Sequence, residues 1–206
     1  MKPQIRSEYN GKGYVYAASA ADIARDTGFE KIARLASNEN PFEPAPEIQK
    51  AAALALSDIN RYPDPSSAKL RAAIRKHIYD APVVVSGSGM DGVIETVIRV
   101  IVSPGDTVAV AAPTFSVYGL AAKAASANIV NIPSREDFTI DIDLFIEKAR
   151  TAKLSFLCTP NNPTGTTVPA AEVKRILENI EGFLFLDCAY IEFADEDYYS
   201  LLSAEN

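Results

Sequence analysis

Two stretches hold residues whose types and spacing suit chemistry. The first is Leu154 to Gly165, LSFLCTPNNPTG, an apolar run of strand type that breaks into Pro160, Asn161, Asn162, Pro163 and Gly165. Two prolines fix φ on either side of two amides, so Asn161 and Asn162 are held with donors and acceptors presented to something polar and planar. The second is the apolar run Phe183 to Leu186, which ends in Asp187, Cys188, Ala189 and Tyr190. A carboxylate there is either a cap or solvated strand end, or the partner of a cationic ring nitrogen such as a pyridinium. Tyr190, three residues on, offers its phenol to the same ligand. Two further places belong with these. Ser86 to Gly92, SGSGMDG, lies between a strand-like run and a helix-like one. It is either a tight turn or a phosphate site made of backbone N–H groups and a helix dipole. It lacks both the lysine of a nucleoside-triphosphate loop and the GxGxxG register. Phe115, after Pro113 and Thr114, is either a core aromatic or a face on which a planar ring stacks.

These residues need elements to position them, and the chain supplies a regular series. Residues 1 to about 35 read as an arm, with a short helix over Ser19 to Arg25. Pro46 suits the first turn of a helix over Glu47 to Leu56. Ser66 or Ser67 suits the N-cap of the next helix, which sets Leu70, Ile74 and Ile78 on one face and His77 beside them, partly buried. From residue 83 strands and helices alternate. Strand 83–85 leads to a helix reaching about Val102, with Val93, Ile94, Val97, Ile98 and Ile101 on its buried face. Strand 107–112 leads to a helix of small residues over 117–126. Strand 128–132 leads to a helix over 141–152, strand 154–158 to a helix over 169–179, and strand 183–186 follows. Several strands are apolar throughout, which is the pattern of a mostly parallel sheet covered by helices on both faces, an α/β fold. Ligands on such sheets lie beyond the carboxyl ends of the strands, and SGSGMDG, APTF, TPNNPTG and DCAY all follow strands. They converge on one edge.

Composition narrows the classes. The chain has 206 residues, 48% of them apolar, enough for a sizeable core. The formal net charge of −7 comes with scattered lysines and arginines, which argues against nucleic acid as a partner. No apolar run approaches the ~18–20 residues of a membrane span, and the N-terminus has no signal-peptide core. With two cysteines, Cys158 and Cys188, beside apolar strands, reduced thiols in a cytoplasm are expected rather than a disulfide framework. No metal site is expected. The tail Asp195-Glu196-Asp197 reads as a solvated loop, and Tyr198 and Tyr199 as packing onto a neighbour.

Taken in order, the phosphate-suited turn, the aromatic, NNPTG and DxxY resemble the fold-type-I, pyridoxal-phosphate-dependent aminotransferases. Within them LASNENPF, NRYPDPSSAKLR, TPNNPTG and AYIEF resemble the group acting on histidinol phosphate, over about residues 14–206. The resemblance implies pyridoxal 5′-phosphate as cofactor. It gives Met90 and Asp91 backbone amides to the cofactor phosphate and stacks Phe115 on the pyridine ring. It sets Asn162 and Tyr190 at the ring oxygen and pairs Asp187 with the ring nitrogen. Asp187 and Tyr190 are then its catalytic residues in this chain. Tyr62 reaches the phosphate of a neighbouring subunit, which implies a homodimer, and Tyr14, Asn38 and Asn40 close over the substrate. Cys188 departs from the usual Asp-Glu-Ala-Tyr at a position that is not a cofactor contact.

The resemblance also implies a Schiff-base lysine that lies beyond Asn206, so the chain is expected to be an N-terminal part. Residues 1–35 would form an arm and part of a small domain, and 36–206 an incomplete, truncated cofactor-binding large domain. Ser66-Ser67-Ala68-Lys69 has the letters of a Ser-x-x-Lys motif, but it sits at a helix start upstream of the sheet and is a decoy. The function implied is transfer of an amino group between glutamate and imidazole-acetol phosphate in histidine synthesis, with amino and keto acids as substrates. A phospho-amino-acid decarboxylase of the same fold, a non-catalytic half-fold lacking the lysine, and a nucleotide-binding α/β domain are the alternatives.

Overall fold

A computed structural model describes residues 4–9, 17–33 and 35–202. The chain divides into two units, Val15–Ala68 and Met1–Tyr14 with Lys69–Asn206. In the first of these, α1 (Ala20–Thr27) starts at Ser19, whose hydroxyl accepts from the Asp22 N–H, and stops at Gly28 in the left-handed region. Helix α2 (Pro46–Ala55) starts on its proline. None of this unit's described residues is buried.

Helix α3 (Ala68–His77) is capped by neither Ser66 nor Ser67. Asp64 does the work: its Oδ2 accepts from the Ala68 N–H at 2.9 Å and its Oδ1 from the Ser66 N–H at 2.9 Å. The expected apolar face of α3 is not buried either. Leu70 and Ile78 are 52% and 61% exposed, and His77 is exposed rather than partly buried. Only Ile74 on that face is partly covered.

The larger unit holds a four-stranded parallel sheet. Helix α4 (Gly89–Ile101) precedes β1 (Thr107–Ala112), and α5 (Val117–Ala124) precedes β2 (Asn128–Pro133). Helix α6 (Ile142–Ala149), β3 (Leu154–Cys158), α7 (Ala170–Asn179) and β4 (Phe183–Asp187) follow. The strands lie in the order β2-β1-β3-β4, every pair parallel. Two cores sandwich the sheet. On one face Ile94 and Ile98 of α4 and Tyr118 and Ala122 of α5 meet Val108, Val110, Leu154, Phe156 and Cys158. On the other, Phe145 of α6 and Val173 and Ile176 of α7 meet Ala109, Ala111, Ile132 and Leu157. Alternate residues of β1 and β3 thus enter opposite cores, the period of two that makes their runs read as apolar throughout.

The expected strand at 83–85 is absent. Only Val84 of the three is buried; Val83 and Val85 are 71% and 70% exposed. β-Branched residues favour a strand only where a neighbour completes the ladder, and none of the four strands pairs with them. The acidic tail is also more than a solvated loop. Glu196 Oε2 accepts from the Ala170 N–H at 3.0 Å and so caps α7. Tyr198 packs within the chain, 4% exposed, rather than onto a neighbour. Its hydroxyl donates to the Val168 carbonyl at 2.6 Å and accepts from Thr159, whose oxygen accepts from the Val168 N–H. Tyr199 stacks on Tyr79 at 5.1 Å.

Candidate active site

From β1 the chain moves outward to β2, then returns across β1 to β3 and β4. The connections therefore reverse direction between β1 and β3, the point of such a sheet where a ligand crevice is expected beyond the carboxyl ends of the strands. The β1 loop carries Pro113, Thr114 and Phe115; the β3 loop carries Thr159 to Gly165. The register pairs Cys158 with Asp187, which puts Asp187 at the carboxyl end of β4 beside that crevice.

Asn161 ties the two loops together. Its Oδ1 accepts from the Thr114 hydroxyl at 2.7 Å, and its Nδ2 donates to the Pro113 carbonyl at 2.9 Å and to Thr164 Oγ1 at 2.8 Å. Its backbone N–H and C=O meet Thr166 and Gly165, the latter at φ +71°. Asn161 is 7% exposed, so its polar groups have little water to fall back on. Asn161→Ala is expected to lower stability by about 1–3 kcal/mol, since it strands partners on both loops. A shift in urea midpoint at constant m-value reads this. Asn162, half-buried, takes no side-chain part in that brace, and Asn162→Ala is expected to leave the midpoint within ~0.5 kcal/mol of the parent.

Asp187 is 3% exposed and its two oxygens are separately held. Oδ2 accepts from the Tyr118 hydroxyl at 2.6 Å, and Oδ1 from the Ala189 N–H at 3.0 Å. Tyr118 is completely buried, stacked on Phe156 at 4.7 Å and 11° and edge-on to Phe115 at 5.7 Å and 81°. Burial, and next the bond to Asp187, push its phenol far above the ordinary range, so it stays a donor.

The thiols respond to the same surroundings. Burial raises Cys158, whose Sγ donates to the Pro160 carbonyl at 3.3 Å. Burial first, then the neighbouring Asp187 and Cys158 charges, push Cys188 up to about 12. Cys188 packs against the α6/α7 core, on the opposite face of the sheet from Tyr118. A raised thiol pKa means less thiolate at any given pH. Iodoacetamide at pH 8 is therefore expected to alkylate Cys188 on the order of a thousandfold more slowly than an ordinary thiol of pKa ~8.5, with the rate still climbing above pH 10.

The remaining sequence candidates fall in three places. Met90 and Asp91 lie in the first turn of α4, where Ser88 gives no side-chain cap, so first-turn N–H groups are left for an anion. Phe115 is half-buried on the β1 loop, and Tyr190, also half-buried, opens the short 3-10 helix Ile191–Phe193. Met90, Asp91, Phe115, Asn162, Asp187 and Tyr190 all belong to the sheet-bearing unit. Tyr62, Asn38 and Asn40 belong to the other. Tyr62 is fully exposed, Asn38 has φ +47°, and Asn40 Oδ1 accepts from the Phe42 N–H at 3.0 Å. Tyr14 lies outside the described residues. Lys69 is exposed in the first turn of α3.

Two roles were not legible in the sequence. Composition offers Asn161 and Asn162 alike and does not separate the brace from its neighbour. Tyr118 was hidden in a helix of small residues, although it follows Phe115 by three positions, a spacing that on a helical turn brings two side chains together.

Known proteins share the fold and family of this chain. The family described as aminotransferase class I and II matches residues 30–206. The histidinol-phosphate aminotransferase of Methanocorpusculum labreanum is 58% identical over all of this chain and 59% of its own length. That of Methanoculleus marisnigri is 53% identical over 98% of this chain and 57% of its own. The crystal structure of histidinol-phosphate aminotransferase from Sinorhizobium meliloti in complex with pyridoxal-5′-phosphate superposes with a TM-score of 0.80 at 25% identity. It covers 94% of this chain and 53% of that one. The chain thus spans somewhat more than half the length of the relatives it matches.

Proposed function

The chain belongs to the class I and II aminotransferase family, and from that premise we propose that it forms the cofactor-holding part of a pyridoxal-phosphate-dependent aminotransferase. The reaction proposed exchanges an amino group between glutamate and imidazole-acetol phosphate, giving 2-oxoglutarate and histidinol phosphate. The names of the relatives from Methanocorpusculum and Methanoculleus support that substrate. The observation that carries the cofactor reading is Asp187: a carboxylate 3% exposed, aligned by two donors, at the carboxyl end of a strand beside the switch crevice.

The donor set fits the group. An uncapped helix start suits a phosphate, a half-buried aromatic suits a pyridine face, and a buried carboxylate suits a cationic ring nitrogen. When bound, pyridoxal phosphate supplies an electron sink for the pair left behind when a substrate carbon loses its proton. Asp187 would hold a proton on the ring nitrogen, which would keep that sink open. Phe115 would stack on the ring, Asn162 and Tyr190 would donate to its oxygen, and the Met90 and Asp91 N–H groups would hold the phosphate. Burial of Asp187 excludes water that would weaken its hold on the ring.

The proton transfer itself belongs to a lysine that the resemblance sets beyond Asn206. Tyr62 is proposed to meet the phosphate of a partner subunit in a homodimer, and Tyr14, Asn38 and Asn40 to contact substrate. The division at residue 35 between arm and large domain belongs to the same reading. Among the described residues no helix is long and apolar enough to cross a membrane, and both cysteines are free; we place the protein in the cytoplasm.

The test is an amino-transfer assay on the chain joined to the remainder its relatives carry, with glutamate and imidazole-acetol phosphate. Borohydride reduction after loading with pyridoxal phosphate should then label a lysine outside residues 1–206. Labelling of Lys69 would overturn the assignment, as would absence of transfer by a loaded protein.

A further inference from the structure

Tyr118 has no part in the roles above, yet it touches both Asp187 at the end of β4 and Phe115 on the β1 loop. Its hydroxyl ends 2.6 Å from Asp187 Oδ2, and its ring edge meets Phe115 at 5.7 Å. Resting on the pyridoxal phosphate reading, we infer that Tyr118 is a positioning residue. It locks the Asp187 carboxylate in the orientation a cationic ring nitrogen requires, and sets the pitch of the Phe115 face on which the ring lies.

The lock is built from the sheet outward. Phe156 lies in β3, between β1 and β4, paired to Val110 on one side and Phe185 on the other. The Tyr118 ring lies almost flat on it, at 4.7 Å and 11°, while Phe185 flanks Phe156 on the neighbouring strand at 5.1 Å and a 38° tilt. A ring held this way has no freedom to swing its hydroxyl. The Ala189 N–H holds the other carboxylate oxygen at 3.0 Å, so rotation about the Cβ–Cγ bond would break one bond or both. Each oxygen can accept two hydrogen bonds and here takes one from these donors, which leaves acceptor capacity for a ring nitrogen. Burial keeps the phenol protonated, so the donor is present at every working pH.

A core tyrosine that merely needed a partner for its hydroxyl would look similar, and ligand chemistry separates the two. Tyr118→Phe keeps the ring, the stack and the contact with Phe115, and removes the donor alone. The probes are pyridoxal phosphate and 1-deaza-pyridoxal phosphate, in which carbon replaces the ring nitrogen. Positioning predicts that Tyr118→Phe weakens pyridoxal phosphate about tenfold, the scale of one hydrogen bond to a charged group, and leaves the deaza analogue unchanged. In an Asp187→Asn background the same change should add nothing. An equal loss for both ligands, or no loss for either, overturns positioning and leaves the cofactor reading standing. A parent chain that binds neither ligand overturns the cofactor reading and this inference with it.

Should Tyr118→Phe be too unstable to titrate, urea unfolding of the single and double variants reads the pair without ligand. The lock requires a coupling of about tenfold in the folding equilibrium constant. Strict additivity overturns it.

Discussion

Asp187→Ala is expected to cost the chain both its ligand and a large part of its stability. The substitution removes the acceptor of two donors at once, the Tyr118 hydroxyl and the Ala189 N–H. Tyr118 is completely buried and no water can replace the carboxylate there. An unsatisfied buried group costs about 1–3 kcal/mol, so the pair costs about 2–5 kcal/mol against a typical total of ~5–15 kcal/mol. Asp187→Asn should be milder, because the amide oxygen still accepts from Ala189 and the amide N–H can donate to the Tyr118 oxygen. In the ligand-bound protein the two variants converge. Neither side chain carries the charge that holds a proton on a ring nitrogen, and on the proposed reading amino transfer by the chain joined to the remainder its relatives carry should fall by on the order of a thousandfold in both. Urea midpoints of the chain and single-turnover rates of the joined protein separate these effects. Transfer persisting at the parent rate in Asp187→Ala would show that the carboxylate has been given the wrong role.

Phe156→Ala is expected to be the most destabilising apolar truncation in the sheet. Phe156 is completely buried in β3 and supports Tyr118 on one side and Phe185 on the other. Removing such a ring from a packed core costs about 3–5 kcal/mol, part lost transfer energy and part cavity. The loss also reaches the site. Without Phe156 the Tyr118 ring has no floor, so its hydroxyl no longer sits at a fixed point against Asp187. Stability and affinity for pyridoxal phosphate should fall together. Val83→Ala, at a side chain 71% exposed, should shift the midpoint by less than about 0.5 kcal/mol. If Phe156→Ala were as mild, the stack would not be what holds the core.

The architecture was legible because the runs 107–112, 154–158 and 183–186 are largely apolar on both faces and alternate with helices of period 3.6, the pattern of a covered parallel sheet. The meeting of APTF, TPNNPTG and Asp187 followed from the same rule, since each leaves the carboxyl end of a strand. Residues 83–85 read as a strand for a sound local reason, yet three β-branched residues make a strand only with a partner, which no periodicity supplies. The face of α3 failed likewise: Leu70, Ile74 and Ile78 have the right spacing, yet only Ile74 is partly covered and Leu70 and Ile78 stay exposed. Inside the site, the division of labour between adjacent amides was not legible. Asn161 and Asn162 have the same chemistry, and only the positions of Pro113, Thr114 and Thr164 decide which one braces the loops. Tyr118 was least legible of all, because its partner lies 69 residues away in the chain.

The central claim is that the crevice beyond β1, β3 and β4 is where pyridoxal phosphate binds. Amide chemical-shift mapping of the isotope-labelled chain during titration with pyridoxal phosphate tests it directly. The account predicts saturable shifts concentrated at Met90, Asp91, Phe115, Asn162, Ala189 and Tyr190, and their loss or strong weakening in Asp187→Asn. Shifts confined to other parts of the chain, or a titration unchanged by Asp187→Asn, would contradict it.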